Sequence, residues 1–237
     1  MNEYQLSKRL AHVGSFVPEN ARLADIGSDH AYLPAALVLQ GKISFAVAGE
    51  VVEGPYNSAK KQVEKNHLSD KIIVRLANGL DAVHLDDEIS AVTIAGMGGA
   101  LISEILESGF QKGKLSGKER LILQPNVGEV AVRKWLVIHG YKIIAEDILE
   151  ENKKLYEIIV AEKSNESFSL SNREIQFGSF LSKEKSETFI KKWQQELKQR
   201  EYVLTSLKKS AENQSEKIAE VEKEIEEIKE VLSNHVG

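Results

Sequence analysis

The chain has 237 residues, 42% hydrophobic and 28% charged, with a net charge of −5, which suits one full domain plus an appendage and argues against a uniformly basic nucleic-acid binder. It has no cysteine, so disulfides, thiolate metal sites and cysteine nucleophiles are excluded together, and a reducing, cytoplasmic setting is expected. The opening Met1-Asn2-Glu3-Tyr4-Gln5-Leu6 has no apolar run, so no secretory signal is expected, and no stretch approaches the roughly 18 uncharged apolar residues of a membrane span.

A short helical segment carrying Lys8 and Arg9 comes first. Strand-like runs follow at Arg22–Ile26, Ile43–Gly49, Ile72–Leu76, Ala91–Ala95 and Arg120–Gln124. Helical patterns separate them at Leu33–Gln40, Gly54–Asn66, Ala100–Ser108 and Glu129–His139. Strands that are apolar almost throughout, spaced by helices, predict a parallel sheet buried on both faces. The fold class is therefore α/β, a doubly wound, mostly parallel Rossmann-like sheet. Lys142–Leu149 and Leu155–Ala161, joined by the polar Glu150-Glu151-Asn152-Lys153-Lys154, read as an antiparallel hairpin closing that sheet.

Composition changes near residue 163, where a Lys/Glu/Gln-rich regime without proline begins. The expected domains are residues 1–162 and 163–237. In the second, Ile190, Trp193, Leu197, Leu204 and Leu207 recur at 3-4 spacing, with Arg200 in the seam. Ile218, Val221, Ile225, Ile228 and Leu232 repeat the pattern after Ser210-Ala211-Glu212-Asn213-Gln214. These predict a C-terminal antiparallel coiled-coil helical hairpin. Lys183–Lys209 holds eight Lys or Arg against four Glu, and Glu212–Glu230 three Lys against eight Glu. A basic arm thus faces an acidic one. The chain is expected to be a monomer, with dimerisation through the coiled coil as the alternative.

The first strand runs into Leu23-Ala24-Asp25-Ile26-Gly27-Ser28-Asp29-His30-Ala31-Tyr32-Leu33-Pro34. In a doubly wound sheet the carboxyl end of this strand meets the ligand. One glycine, Gly27, is not the G-x-G-x-x-G that lays a pyrophosphate on a helix N-terminus. Asp25, Asp29 and Glu50 would repel phosphates. They favour a cofactor with a sulfonium, an ammonium and free ribose hydroxyls, which is S-adenosyl-L-methionine rather than NAD. Glu50, 25 residues after Asp25, can accept ribose hydroxyls. Asn78-Gly79 follows the third strand and can face the adenine amino group. Ala95-Gly96-Met97-Gly98-Gly99 follows the fourth and permits close backbone approach. After the fifth, Gln124-Pro125-Asn126 can present polar groups at the pocket mouth. Each has a plainer reading as a cap, a helix start or a turn. His12, His67, His84, His139 and His235 show no metal spacing, and no metal is expected.

Leu6-Ser7-Lys8-Arg9-Leu10, Ala24 to Pro34, Ala48-Gly49-Glu50, Ile94 to Ala100, Leu121 to Asn126 and Tyr156-Glu157 together resemble the bacterial tRNA (adenine-N1)-methyltransferases acting on adenosine 22, the TrmK family. The similarity spans the catalytic domain nearly end to end, and the tail matches in kind. The resemblance implies a class I methyltransferase fold, S-adenosyl-L-methionine as methyl donor and tRNA as substrate. It implies cofactor contacts from Asp25, Gly27, Ser28, Glu50, Val51, Asn78, Gly79, Ala95, Gly96 and Met97. Asp29 stands where the broader methyltransferase motif has a second glycine, which leaves Asp29, His30 and Tyr32 as catalytic candidates. Candidate RNA contacts are Lys8, Arg9, Gln124, Asn126, Lys191 and Lys192, a solvated charged face being the plainer reading of the lysines. The alternative function is methylation of a small molecule.

Overall fold

The computed structural model describes residues 3–209 and 214–233. Of the predicted connection Ser210-Ala211-Glu212-Asn213-Gln214, residues 210–213 lie outside the described residues, as does His235. The chain divides into two compact units, Met1–Ser179 and Phe180–Gly237.

The first unit begins with α1 (Lys8–Ser15). Then β1 (Arg22–Ile26), α2 (Tyr32–Leu39), β2 (Phe45–Glu50), α3 (Glu53–Lys65), β3 (Ile72–Leu76), β4 (Ala91–Gly98), α4 (Gly99–Gln111), β5 (Arg120–Val127) and α5 (Glu129–Ile138) alternate. The hairpin β6 (Tyr141–Glu151) and β7 (Lys154–Lys163) and the short α6 (Asn172–Phe177) complete it. One seven-stranded sheet runs β3-β2-β1-β4-β5-β7-β6. The pairs β1–β2, β1–β4, β2–β3 and β4–β5 are parallel, and β7 is antiparallel to both neighbours. The predicted strands therefore stand. β4 and β5 run three residues further than the apolar pattern indicates, to Gly98 and Val127.

Both faces of the sheet are covered. Leu33 and Leu37 of α2 and Val63 of α3 pack with Leu23, Ala46 and Ile122 on one face. Ile102 and Leu106 of α4 and Val132 and Leu136 of α5 pack with Ala24, Val47 and Leu121 on the other. Burying each such aliphatic side chain stabilises the fold by about 1.5–3 kcal/mol. α2 is apolar around its circumference and buries Leu33 through Val38, as a helix without a polar face must. Pro34 sits in its first turn, where no intrahelical N–H is needed. β1 pairs with β2 on one side and β4 on the other, so the connections reverse direction between β1 and β4. That crevice is where a doubly wound sheet receives its ligand.

The second unit holds α7 (Leu181–Glu184), α8 (Glu187–Lys209) and α9 (Ser215–Ser233). α8 and α9 lie against each other. Arg200–Glu224 at 2.7 Å, Lys208–Glu222 at 2.6 Å and Lys229–Glu201 at 3.9 Å run in antiparallel order, so the basic arm does meet the acidic one. Phe189, Trp193, Ile225, Ile228 and Val231 are its buried apolar side chains on the two long helices. Ile190 and Leu232, expected in the seam, are only half-buried beside them. No described helix is long and apolar enough to cross a membrane.

Candidate active site

The site is built from loops at the carboxyl ends of β1, β2 and β4. Asp25, the fourth residue of β1, is buried, with its carboxylate held from two sides. Ser28 donates its hydroxyl to Oδ2 at 2.5 Å, and Thr93 of β4 donates to Oδ1 at 2.6 Å. Burial pushes the Asp25 carboxyl above its ordinary value, and the two hydroxyls pull it back only in part. Ser28, a cofactor candidate, is buried and directs its hydroxyl to Asp25. Thr93 is a site residue that the sequence reading missed. Its signal was a hydroxyl inside the otherwise apolar run Ala91-Val92-Thr93-Ile94.

Gly27 lies at φ +70°, and after Ser28 the chain is left-handed at three consecutive side-chain-bearing residues, Asp29, His30 and Ala31, at φ 41°, 65° and 56°. Such residues cost about 1–2 kcal/mol each and persist where the surroundings fix them. Here Gly27 and Ser28 donate their N–H groups to the carbonyl of Gly49, and Asp29 donates its N–H to Glu50 Oε1 at 2.7 Å. At φ +70° Gly27 takes a backbone conformation that side-chain-bearing residues rarely adopt, and a Cβ there would meet only the flexible end of Met97. The strained turn holds its acidic and imidazole groups out toward solvent. The Asp29 side chain is 71% accessible and that of His30 44%, with Asp29 Oδ1 3.8 Å from His30 Nε2. His30 stacks on Tyr32 at 5.2 Å between ring centroids and 17° between planes. The three catalytic candidates therefore stand together at the crevice.

Glu50 is buried at the end of β2. Burial raises its carboxyl above the ordinary value, against the Asp29 N–H that lowers it, and the nearby carboxylates of Asp25 and Asp29 raise it further. Val51 beyond it is exposed. Asn78 is exposed at the head of a 3-10 turn, Gly79–Ala82, and makes no capping hydrogen bond with its side chain. Ala95, Gly96 and Met97 are half-buried at the end of β4. The structure thus gathers Asp25, Gly27, Glu50, Asn78, Gly79 and Ala95–Met97 at the carboxyl ends of adjacent strands.

The RNA candidates fare differently. Gln124 is completely buried, which corrects its expected place at the pocket mouth: both ends of its amide bind inside the protein. Asn126 donates its Nδ2 to the Gly96 carbonyl at 2.7 Å. Lys8 is exposed and reaches the Glu150 carbonyl at 3.2 Å. Lys191 and Lys192 lie on α8 in the second unit, away from this loop cluster in sequence. Among the described residues no group of acidic, histidine or cysteine side chains is placed to hold a metal.

These residues fit S-adenosyl-L-methionine. A buried carboxylate lies under the β1 loop, a second ends β2, and Gly27 leaves the turn between them without a side chain. Two carboxylates at adjacent strand ends suit a cationic nucleoside and disfavour a pyrophosphate.

The family model of TrmK, tRNA (adenine(22)-N(1))-methyltransferase, matches residues 23–230. The chain belongs to that family. The tRNA (adenine(22)-N(1))-methyltransferase of Bacillus subtilis strain 168 is 48% identical, covering 99% of this chain and 100% of its own length. The crystal structure of the B. subtilis M1A22 tRNA methyltransferase TrmK superposes with a TM-score of 0.90 at 46% identity, over 97% of this chain and 99% of that one. The M. capricolum TrmK structure, in complex with S-adenosyl-homocysteine, superposes at 0.84 with 32% identity over 96% and 98%. A Streptococcus pneumoniae structure in complex with S-adenosyl-L-methionine does so at 0.88 with 52% identity over 96% and 100%. The resemblance carried by Asp25–Pro34 and Gly96–Gly99 is therefore a family membership.

The raised Asp25 carboxyl has a consequence for stability. A carboxyl held above its ordinary value in the fold binds more protons than in the unfolded chain. Its stabilising contribution is present below the unfolded value and lost as pH rises through the folded one. Asp25→Asn is therefore expected to raise the unfolding temperature of the cofactor-free protein at pH 8 and to flatten its decline between pH 5 and 8, read by calorimetry. A lower unfolding temperature at pH 8 would mean that the carboxylate, held by Ser28 and Thr93, is a net stabiliser.

Proposed function

We propose that this chain transfers a methyl group from S-adenosyl-L-methionine to ring nitrogen N1 of adenosine 22 in tRNA. The observation that carries the reading is the pair of buried carboxylates, Asp25 and Glu50, at adjacent strand ends beside a glycine cradle. Asp25, Gly27, Glu50, Asn78 and Ala95–Met97 hold the cofactor, Glu50 accepting from the ribose hydroxyls and Asn78 facing the adenine edge. When bound, S-adenosyl-L-methionine supplies an electrophilic methyl on a sulfonium.

Neutral adenine already has a lone pair on N1, so the chain need supply no general base. What it must do is orient the base, exclude water and stabilise the positive charge that grows on the ring. N1 lies on the pairing edge, so the nucleotide is turned out of its stack at a cost of a few kcal/mol. The His30–Tyr32 stack offers a flat face for it. The Asp29 carboxylate, exposed at the crevice, favours the cationic ring as it forms. Asp29→Asn is expected to lower kcat about tenfold, at the modest end for electrostatic stabilisation because the group is solvent-screened. The affinity for S-adenosyl-L-methionine should stay within a factor of two, and an equal loss of both would make Asp29 a cofactor residue.

The second unit adds a basic helix. Lys191 and Lys192 on α8 contact tRNA phosphates in this reading. Reversing both to Glu should weaken tRNA binding and flatten the slope of log affinity against log salt by about two. An unchanged slope would leave α8 a solvated flank. The function itself is tested by incubating unmodified tRNA with labelled S-adenosyl-L-methionine and mapping the modified base. Label at N1 of adenosine 22 is the expected result. No label in any tRNA would overturn it and point to a small-molecule acceptor.

A further inference from the structure

Arg9 and Gln124 form a unit that the cofactor site does not account for. The β4–β5 register shifts between Ala95 and Met97, leaving Gly96 as an extra residue at φ +80°. Its backbone groups are taken up by side chains of β5. Gln124 Oε1 accepts the Gly96 N–H at 3.0 Å, and Asn126 Nδ2 donates to the Gly96 carbonyl. Gln124 Oε1 also accepts a second bond, from Arg9 Nη1 at 2.5 Å. Its Nε2 donates to the Pro125 carbonyl at 2.8 Å and to Asn126 Oδ1 at 3.3 Å. All four bonding positions of a buried carboxamide are thereby filled, which fixes its orientation.

Arg9 is the half-buried outer end of this network. Its guanidinium lies 5.5 Å from the Tyr156 ring centroid and beside Gly96. α1, which carries it, is itself tied to β6 by the Lys8 N–H on Glu151 and by His12 Nδ1 at 2.6 Å from Asp147 Oδ2. Arg75, Arg120, Arg133 and Arg200 each pair with a carboxylate; among the described residues Arg9 has none. Of its five N–H donors one is bonded within the described protein. A fixed, unneutralised guanidinium fork next to the methyl-transfer end of β4 suits an oxyanion with two oxygens in a plane.

We propose that Arg9 receives a backbone phosphate flanking the target adenosine, and that Gln124 is the positioning residue that aims it. The inference rests on the tRNA reading above: an everted nucleotide brings a phosphate on each side to the mouth of its pocket. It makes Arg9 a contact for a phosphate at the reaction centre, separate from any grip by α8.

The test uses the full-length protein with unmodified tRNA and compares Arg9→Ala, Gln124→Met and the double variant. Arg9→Ala should raise the KM for tRNA roughly tenfold and lower the salt slope by about one, with S-adenosyl-L-methionine affinity within twofold. An unchanged slope, or equal loss of cofactor binding, overturns the phosphate assignment. Gln124→Met should raise KM in the presence of Arg9 and add nothing in its absence. An equal rise in both backgrounds overturns the positioning role. If Gln124→Met does not fold, Gln124→Glu serves: its carboxylate pairs with Arg9, and the slope should fall by the same one unit. Wild-type protein that methylates no tRNA would sink the underlying function, whereas methylation with an unaltered Arg9→Ala slope sinks this inference alone.

Discussion

Arg133→Met is expected to destabilise the first unit by about 3–5 kcal/mol, the usual cost of removing one partner of a buried ion pair. Arg133 of α5 is fully buried. Its Nε donates to Glu146 Oε1 of β6 at 2.8 Å and its Nη2 to Glu157 Oε2 of β7 at 2.5 Å. Nη1 reaches the Ile175 carbonyl of α6 at 3.4 Å. Burial alone would lower the pKa of the guanidinium, and the two carboxylates outweigh it and raise the pKa above its ordinary value. Losing the arginine leaves two carboxyls under the hairpin without their cation. For a unit of this size the unfolding temperature should drop by roughly 10 °C, measured by calorimetry. Adding Glu146→Gln and Glu157→Gln should recover part of it, because the uncompensated charge, rather than the missing contact, dominates. The cluster sits on α5, β6 and β7 and not on the cofactor loops, so cofactor affinity in the folded fraction should be unchanged. A drop under about 1 kcal/mol would show that the carboxyls find protons or other partners at little cost.

Glu50→Gln should weaken S-adenosyl-L-methionine binding by roughly ten- to a hundredfold, read by titration calorimetry. Glutamine keeps the length and the oxygen that accepts the Asp29 N–H, so the loop geometry should survive. What would be lost is the charged acceptor proposed for the ribose hydroxyls, about 1.5–3 kcal/mol for hydrogen bonds to an ionised group. The pH dependence gives a second readout. Since burial holds the Glu50 carboxyl above its usual range, cofactor affinity of the wild type should rise with pH through that raised value and level off above it. The Gln variant should lose that part of the rise. A dissociation constant within twofold of the wild type would remove Glu50 from the cofactor site.

The backbone architecture was written in the periodicity of the chain. Arg22–Ile26 and Ile72–Leu76 form strands with the bounds their apolar runs gave, and the helices between shift by only a residue or two except at the C-terminus of α4, three residues further on. A run buried on both faces has no polar alternation, and that is a local signal. The gathering of Asp25, Gly27, Glu50 and Asn78 at one crevice was legible too, because strand ends in this fold class meet there whatever the loops do next. The side-chain partners were not. Gln124 reads as a surface amide beside a proline, and only the Gly96 bulge on the neighbouring strand makes it a buried hub. Arg133 carries no signal in the sequence, and only two glutamates of the hairpin, 13 and 24 residues downstream, make it a core cation. Thr93 gains its meaning from Asp25, 68 residues earlier. Hydrophobic spacing is a property of consecutive residues, so the sequence determines the elements and the face each buries. Which polar atoms meet depends on register across strands distant in the chain, and that was decided when the sheet closed.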